Sequence, residues 1–418
     1  MTAVAAPATA ERLAALLAHA VQASPYYREA LGGRAGLELA DFPSLPKPTL
    51  MAEFDRIVTD PRVRRADLER HLTGPDPGGR HLGEYRVFAT SGSSGVPGIM
   101  LHTEAEFQEW VAAHAPVFEH IGIAPSTRLA AIGAPSPIHL SKQLFACLRP
   151  TAGTMPRVSV TTPLPQLAAE LDRFQPEAMI GYASIIAMLA AEQLDGRLQV
   201  APRMIAVSAE VLTAEMEQRI VEAWDVRPHQ IYATTEAPII AAGDPGGTGM
   251  RILSDRAVIE VVDEQGRPVP AGAPGHRVLL TNLVNRVLPL IRYELTDSIR
   301  LLPGRDRIAA IDGRSDDVVH VAAPGGGTAA VHPHALRAPF AAMPLVRQYQ
   351  IVHRDGAFEV LVVPAPAAAA DTCRVVRDAL VAALARAGAA APEVHVRRVG
   401  EIPREPGHAA KLKLVVSA

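Results

Sequence analysis

Residues 204–236 read MIAVSAEVLTAEMEQRIVEAWDVRPHQIYATTE. This is a strand–helix–strand unit. The apolar run 204–207 is short and continuous, as expected of a strand buried on both faces. A helical pattern follows at 214–223, then a second strand at 229–232. Tyr232-Ala233-Thr234-Thr235-Glu236 comes directly after that strand. Loops at the carboxyl ends of strands are where an open α/β sheet binds ligands.

The same alternation extends outward. Helical patterns at 104–118, 164–174 and 184–193 are interleaved with strand patterns at 128–132 and 178–180. A largely parallel sheet with helices on its faces is expected. Upstream, residues 9–22 place Leu13, Leu16, Leu17 and Ala20 on one helical face, with further helices at 24–28 and 49–57. Residues 60–84 are polar and rich in Gly and Pro, so they read as loop. Strands at 85–89 and 99–101 flank the turn Thr90-Ser91-Gly92-Ser93-Ser94-Gly95-Val96-Pro97-Gly98. After 255 the pattern becomes β-rich, with strands at 257–262, 277–283 and 299–302. From 313 a separate unit begins, with strands at 347–353, 358–363 and 393–397 and a helix near 371–387. That order suits a small α+β lobe. The predicted fold is α/β: a large N-terminal domain, 1–312, with mixed and parallel sheets flanked by helices plus a β-rich subdomain, and an α+β C-terminal domain, 313–418.

The chain has 418 residues, 41 Lys plus Arg and 44 Asp plus Glu, for a formal charge of −3. That excludes a bulk basic field for nucleic acid or anionic lipid. Hydrophobic residues make up 48% and charged residues 20%, which rules out global disorder. No apolar run reaches the ~18 residues of a membrane span. The apolar start lacks a basic leader and is broken by Glu11 and Arg12, so an uncleaved soluble chain is expected. Cys147 and Cys373 are too few for a disulfide framework or a Cys-rich zinc site, and a cytoplasmic location fits. Cys147, in an apolar helix-like stretch, is expected to be buried and inert. His332 and His334 read as loop or pocket lining. His139 and Lys142 sit in a segment that could face a substrate pocket or serve structure alone.

Four motifs can carry chemistry. In Ser91-Gly92-Ser93-Ser94-Gly95, glycines turn the backbone while hydroxyls and N–H groups can cradle phosphate. It lacks the lysine of a P-loop and the spacing of a nucleophile elbow. Glu236 could hold Mg²⁺, which prefers hard oxygen ligands and bridges to phosphates. Arg292-Tyr293-Glu294-Leu295-Thr296-Asp297 and Gly313-Arg314-Ser315-Asp316-Asp317 offer an Asp for a ribose diol and an Arg fork for ribose or phosphate. The tail from Ile402 to Lys413 could bring a lysine to a phosphate leaving group.

Together, in this order, these segments resemble the adenylate-forming (acyl-adenylate ligase) superfamily, in its phenylacetate–CoA ligase-like branch. The match carries over LLAHAVQASPYYREAL, TSGSSGVPG, GYASII, SAEVLT, YATTE, GRSDD and, most specifically, IEVVDEQGRPVPAGAPGHRVLLTNLVNRVLPLIRYELTD. The resemblance implies an ATP- and Mg²⁺-dependent enzyme that converts a carboxylic acid to acyl-AMP and then passes the acyl group to CoA. An aryl or arylacetic acid is implied as substrate, and a homodimer as an option. By resemblance, Ser91, Gly92, Ser93, Ser94 and Gly95 contact phosphate. Ser208, Ala209, Glu210, Tyr232 and Thr235 contact AMP on the adenine side, and Glu236 is the Mg²⁺ carboxylate. Asp297 takes the ribose, Arg314 ribose or phosphate, and Asp316 the hinge of a mobile C-terminal domain.

The chain also departs from the branch. Tyr293-Glu294-Leu295-Thr296-Asp297 stands where Tyr-Arg-Thr-Gly-Asp is usual, and Ala233 replaces a glycine. The catalytic lysine of the tail falls on His408 without gaps and on Lys411 with a longer loop. Lys411 is the assignment, with Lys413 as the alternative. The segment 321–334 reads as a longer loop than usual beside the acceptor tunnel. A carrier-protein thiol, an amine, or nitrite in a diazotase-type reaction therefore stays open as acceptor. A non-catalytic nucleotide-binding protein is the reading from another class.

Overall fold

In a computed structural model of the chain, the described residues are 7–32, 34, 36–90, 98–147, 158–243, 247, 249–343, 346–390, 392–402, 404 and 411–417, with only the backbone described at 316, 334, 341 and 342. The fold is the expected mixed α/β type. A nine-stranded sheet organises it, in the order Val158–Ser159, Leu129–Gly133, Ala178–Tyr182, Met204–Ser208, His229–Tyr232, Ala241–Gly243, Met250–Ile252, Arg307–Arg314, Asp297–Leu301. The first five strands are parallel. From the Tyr232–Ala241 pair onward the ladder is antiparallel. The parallel half follows from the strand–helix alternation. Of the antiparallel half, Asp297–Leu301 overlaps the strand expected at 299–302, whereas Ala241–Gly243 and Met250–Ile252, three residues each, are too short to show a period.

Local chemistry sets the helix ends. Leu164–Phe174 buries Leu167, Ala168 and Leu171 on one stripe, and Gln175 then stops it in a left-handed conformation before Pro176. Thr103 and Glu106 form a capping box at the start of Glu104–His120. The expected helix at 49–57 is instead two short ones, Lys47–Ala52 and Phe54–Ile57, parted at Glu53. Pro48 suits the first turn, which explains the earlier start.

Other differences have physical reasons too. The loop expected over 60–84 contains the helix Arg65–Thr73, which buries only Leu68. It is tied by the Arg65–Glu69 pair and by the Arg65 amide donating to Asp55, rather than by an apolar stripe. The long loop expected at 321–334 is largely a hairpin, Val319–Ala322 paired with Thr328–Val331. Val319 and Val321 alternate inward with exposed neighbours, the period-two pattern of a strand. Cys147 ends the helix Leu140–Cys147 and is half-buried rather than buried.

Three hydrophobic cores can be traced among the described residues. The first joins the N-terminal helices to the antiparallel β-rich region. The second packs Leu167, Ile186, Ile205 and Ile220 between the parallel strands and their helices. The third, from Val319 to Val415, lies in the C-terminal lobe. There the strands Glu393–Arg398, Ala357–Pro364, Val346–Arg354 and Val415–Ser417 form one sheet, with Thr372–Arg386 packed beside the first of them. The final strand was not expected. It places the segment before it, 411–414, at the junction, where Leu414 touches both the second and third cores.

Candidate active site

Three adjacent parallel strands end on one edge: Ala178–Tyr182, Met204–Ser208 and His229–Tyr232. Tyr182 pairs with Ser208, and Ser208 with Ile231, so their carboxyl ends are level. Their following residues therefore converge on one side, as an open α/β sheet requires for a ligand crevice.

Beyond Tyr232, the Thr234 hydroxyl accepts the Ala237 amide at 3.0 Å, and the Thr234 amide reaches the Ala237 carbonyl. This tight turn carries a half-buried Thr235 and a buried Glu236. The Glu236 carbonyl accepts from the Asn282 side chain at 2.7 Å, anchoring the turn to the β-rich region. Its carboxylate hydrogen-bonds the Tyr293 hydroxyl. Burial first, and the Glu236 charge second, push the Tyr293 phenol well up. Tyr232 is raised in the same way by burial and by Asp297, to which its hydroxyl donates at 3.0 Å. Both phenols stay protonated, so each is a fixed donor to a carboxylate.

Asp297 pairs with Arg314 across the last two strands of the sheet. The Arg314 guanidinium donates through Nε at 3.0 Å and through Nη2 at 2.6 Å to the Thr296 hydroxyl. The Ser315 amide and hydroxyl both donate to the Thr296 carbonyl. Thr296 thus supplies an acceptor where the family pattern has glycine.

The edge of Met204–Ser208 continues into Ala209, whose φ of +68° is uncommon for a residue with a Cβ. Glu210 follows and is held on three sides. Its Oε2 accepts the Ser184 amide at 2.9 Å, and its Oε1 accepts the Leu412 amide at 2.6 Å and Arg404 Nη1 at 3.3 Å. Lys411, next to Leu412, is half-buried. Burial pulls its ammonium below the usual lysine range and the Arg314 charge adds to that, while Glu210, Asp297 and Glu236 oppose it. Lys411 is therefore within electrostatic reach of all four. Lys413 lies elsewhere, its Nζ 2.6 Å from Asp317.

The expected phosphate loop, Ser91, Gly92, Ser93, Ser94 and Gly95, lies outside the described residues, as does His408; so does the Asp316 side chain, although its backbone forms part of the turn Ser315–Asp317. The loop's neck is described. Thr90 Oγ1 accepts the Gly98 amide at 2.8 Å and Lys47 Nζ at 3.2 Å. Lys47 was missed in the sequence because it is 43 residues from its partner. His139 is buried and hydrogen-bonds the Ala89 backbone next to that neck; burial first, and the Lys411 charge as well, disfavour its protonated form. The buried Glu236 carboxylate is a hard oxygen donor of the kind Mg²⁺ takes, and phosphate oxygens would have to complete its shell, because no group of three metal-binding side chains occurs among the described residues. None of the helices formed by the described residues is long and apolar enough to cross a membrane.

This fold and edge define the class: the chain has the architecture of the adenylate-forming ligases. Its sequence is similar to that of phenylacetate–coenzyme A ligases. It is 28% identical over 253 residues to the phenylacetate-coenzyme A ligase of Escherichia coli (strain K12), covering 56% of each chain. The chain thus spans about half the length of the curated relatives it matches. No protein-family model matches it. Among solved structures, it is similar to a 2-hydroxyisobutyryl-CoA ligase in the postadenylation state, with a TM-score of 0.76, 21% identity, and coverage of 100% and 91%. The same ligase in its thioesterification state gives a TM-score of 0.60 over the same shares.

Proposed function

We propose that the chain is an ATP-dependent acid–CoA ligase. The observation that carries this reading is the docking of the tail on the strand edge: the Leu412 amide donates to Glu210 at 2.6 Å, so its neighbour Lys411 lies at that edge, within the fields of Glu210, Asp297, Glu236 and Arg314. In the first step a substrate carboxylate oxygen attacks the α-phosphorus of ATP. An acyl–O–P bond forms, the bond to the β-phosphate breaks, and pyrophosphate leaves. In the second step the CoA thiol attacks the acyl carbon, and AMP leaves with the bridging oxygen.

Each residue then has a role. Ser91, Gly92, Ser93, Ser94 and Gly95 hold phosphate oxygens. Ser208, Ala209, Tyr232 and Thr235 line the adenine side. Asp297, oriented by Tyr232, accepts from the ribose diol. Arg314, braced by Thr296, donates to ribose or phosphate. Lys411 is the cation that meets charge developing on the α-phosphate. Glu236 would hold Mg²⁺, which would supply positive charge against the repulsion between carboxylate and triphosphate. Residues 1–312 form the adenylation domain and 313–418 the mobile lobe, with Asp316 at the hinge. The better match to a postadenylation state than to a thioesterification state supports an adenylation-like arrangement of the lobe.

The phenylacetate activity of the relatives favours an aryl or arylacetic acid, and a cytoplasmic location goes with CoA use. A different acceptor was motivated by a long loop at 321–334, and that segment is largely a hairpin. The test is pyrophosphate release from ATP and Mg²⁺ with a panel of aryl and arylacetic acids, with and without CoA. Acid-dependent release with a thioester product is expected. Release that ignores every acid would sink the reading.

A further inference from the structure

Glu210 has two donors from the tail and one from the sheet domain. Arg404 and Leu412 come from the tail, and Ser184 from the start of the helix Ala183–Leu194. The Glu210 and Arg404 side chains are 7% and 10% exposed. A buried carboxylate needs its donors, and charge-assisted bonds are the strong ones. Arg404 also donates to the Ser184 hydroxyl, so the cluster joins two strand ends to the tail.

Other contacts hold the lobe without touching the tail lysine. Arg219 donates to the Val346 and Arg347 carbonyls, and Tyr349 donates to Glu215 at 3.0 Å. On the far side, the tail joins the lobe's own sheet through Val415–Ser417, and Gln350 donates to the Lys413 carbonyl. Lys411 therefore lies between two anchors, and Glu210 is the one on the sheet domain. Rotation of the lobe would strip Glu210 of two donors at once.

We propose that Glu210 and Arg404 form a latch that positions Lys411 for the first half-reaction, rather than Glu210 serving the adenine. This rests on the ligase reading above. Glu210 is a positioning residue: it touches the backbone beside Lys411 and acts through it. The latch closes for adenylation and opens when the lobe turns for the second step, so breaking it should separate the two half-reactions.

The test uses the full chain with Glu210→Gln, Arg404→Gln, the double variant and Arg404→Lys. Two rates are read: pyrophosphate release in the first step, and thioester formation from supplied phenylacetyl-AMP and CoA. Each single Gln variant should slow the first step about tenfold or more, through misplacement of Lys411. The double variant should be no worse than the worse single, because one latch is broken once. Arg404→Gln should keep the second step within about twofold, and Arg404→Lys should recover part of the first. Hydrogen exchange gives a readout independent of activity. The Leu412 amide should lose protection in both Gln variants while the strand Met204–Ser208 keeps it. An unchanged first step with an unchanged Leu412 amide overturns the latch, and so does an equal loss of both steps in Arg404→Gln. If the unaltered chain releases no pyrophosphate with any acid, the ligase reading fails. Leu412 exchange then decides the latch alone: lost protection supports it, and retained protection overturns it.

Discussion

Half of the candidate site is built on the sheet edge, and half arrives on a tail. Tyr232, Glu236, Asp297 and Arg314 sit on or beside strand ends and are tied to one another or to Thr296 and Tyr293. Lys411 belongs to a segment anchored in another lobe and touches the edge through its neighbour Leu412. On the ligase reading, the difference would let one site serve two steps: the sheet half would keep the nucleotide, while the tail half, with its cation, could leave when the lobe turns.

Removing the tail cation should separate the halves most sharply. Lys411→Ala should slow acyl-AMP formation by about 10²–10³-fold, the scale of losing one stabiliser of developing charge. Thioester formation from supplied acyl-AMP should survive. Lys413→Ala, which breaks only the Asp317 pair, should do far less. Equal effects of the two would undo the assignment.

On the sheet side, Glu236→Gln should cost about a hundredfold in the first step and weaken the response to added Mg²⁺. A smaller, binding-type effect is expected of Thr296→Val, which removes the acceptor that braces Arg314. KM for ATP should rise about fivefold, on the order of one hydrogen bond, with kcat nearly kept. A matching fall in kcat would mean that Thr296 serves the chemistry.

The tail half was only partly legible in the sequence. Strand ends and their loops are local features, so the 204–236 unit exposed Tyr232 and Glu236 directly. The position of Lys411 depends on a lobe sheet whose last strand, Val415–Ser417, pairs with a strand more than sixty residues away. No local pattern encodes that pairing. Glu210 was seen, but only its contacts reveal that it faces the tail. The helix Arg65–Thr73 was missed because charged pairs, not an apolar stripe, hold it.

Proton titration distinguishes the regions more gently. Burial and Arg314 depress the Lys411 pKa, with Glu210, Asp297 and Glu236 opposing. A lysine that must be charged then loses its proton earlier as pH rises. The alkaline limb of acyl-AMP formation should fall at a pH below the ordinary 10.5 of lysine, and Lys411→Arg should move it upward. In the sheet domain, burial holds His114 down at about 4. Its folded value lies below its unfolded one, so its stability contribution is complete above about 6.5 and fades as pH falls toward 4. The unfolding equilibrium should shift toward the unfolded state across that window, by at most about tenfold per pH unit for this one histidine, and the melting temperature should fall with it. A flat profile would mean that His114 is not the neutral buried group described.

The central claim is that the acid is activated as an acyl-AMP, and oxygen tracing tests it most directly. A substrate acid carrying ¹⁸O in both carboxylate positions is turned over once with ATP, Mg²⁺ and CoA, and the AMP is weighed by mass spectrometry. The account predicts one ¹⁸O in AMP, because the bridging oxygen comes from the acid and leaves with the nucleotide. Thioester formed with no ¹⁸O in AMP would contradict it.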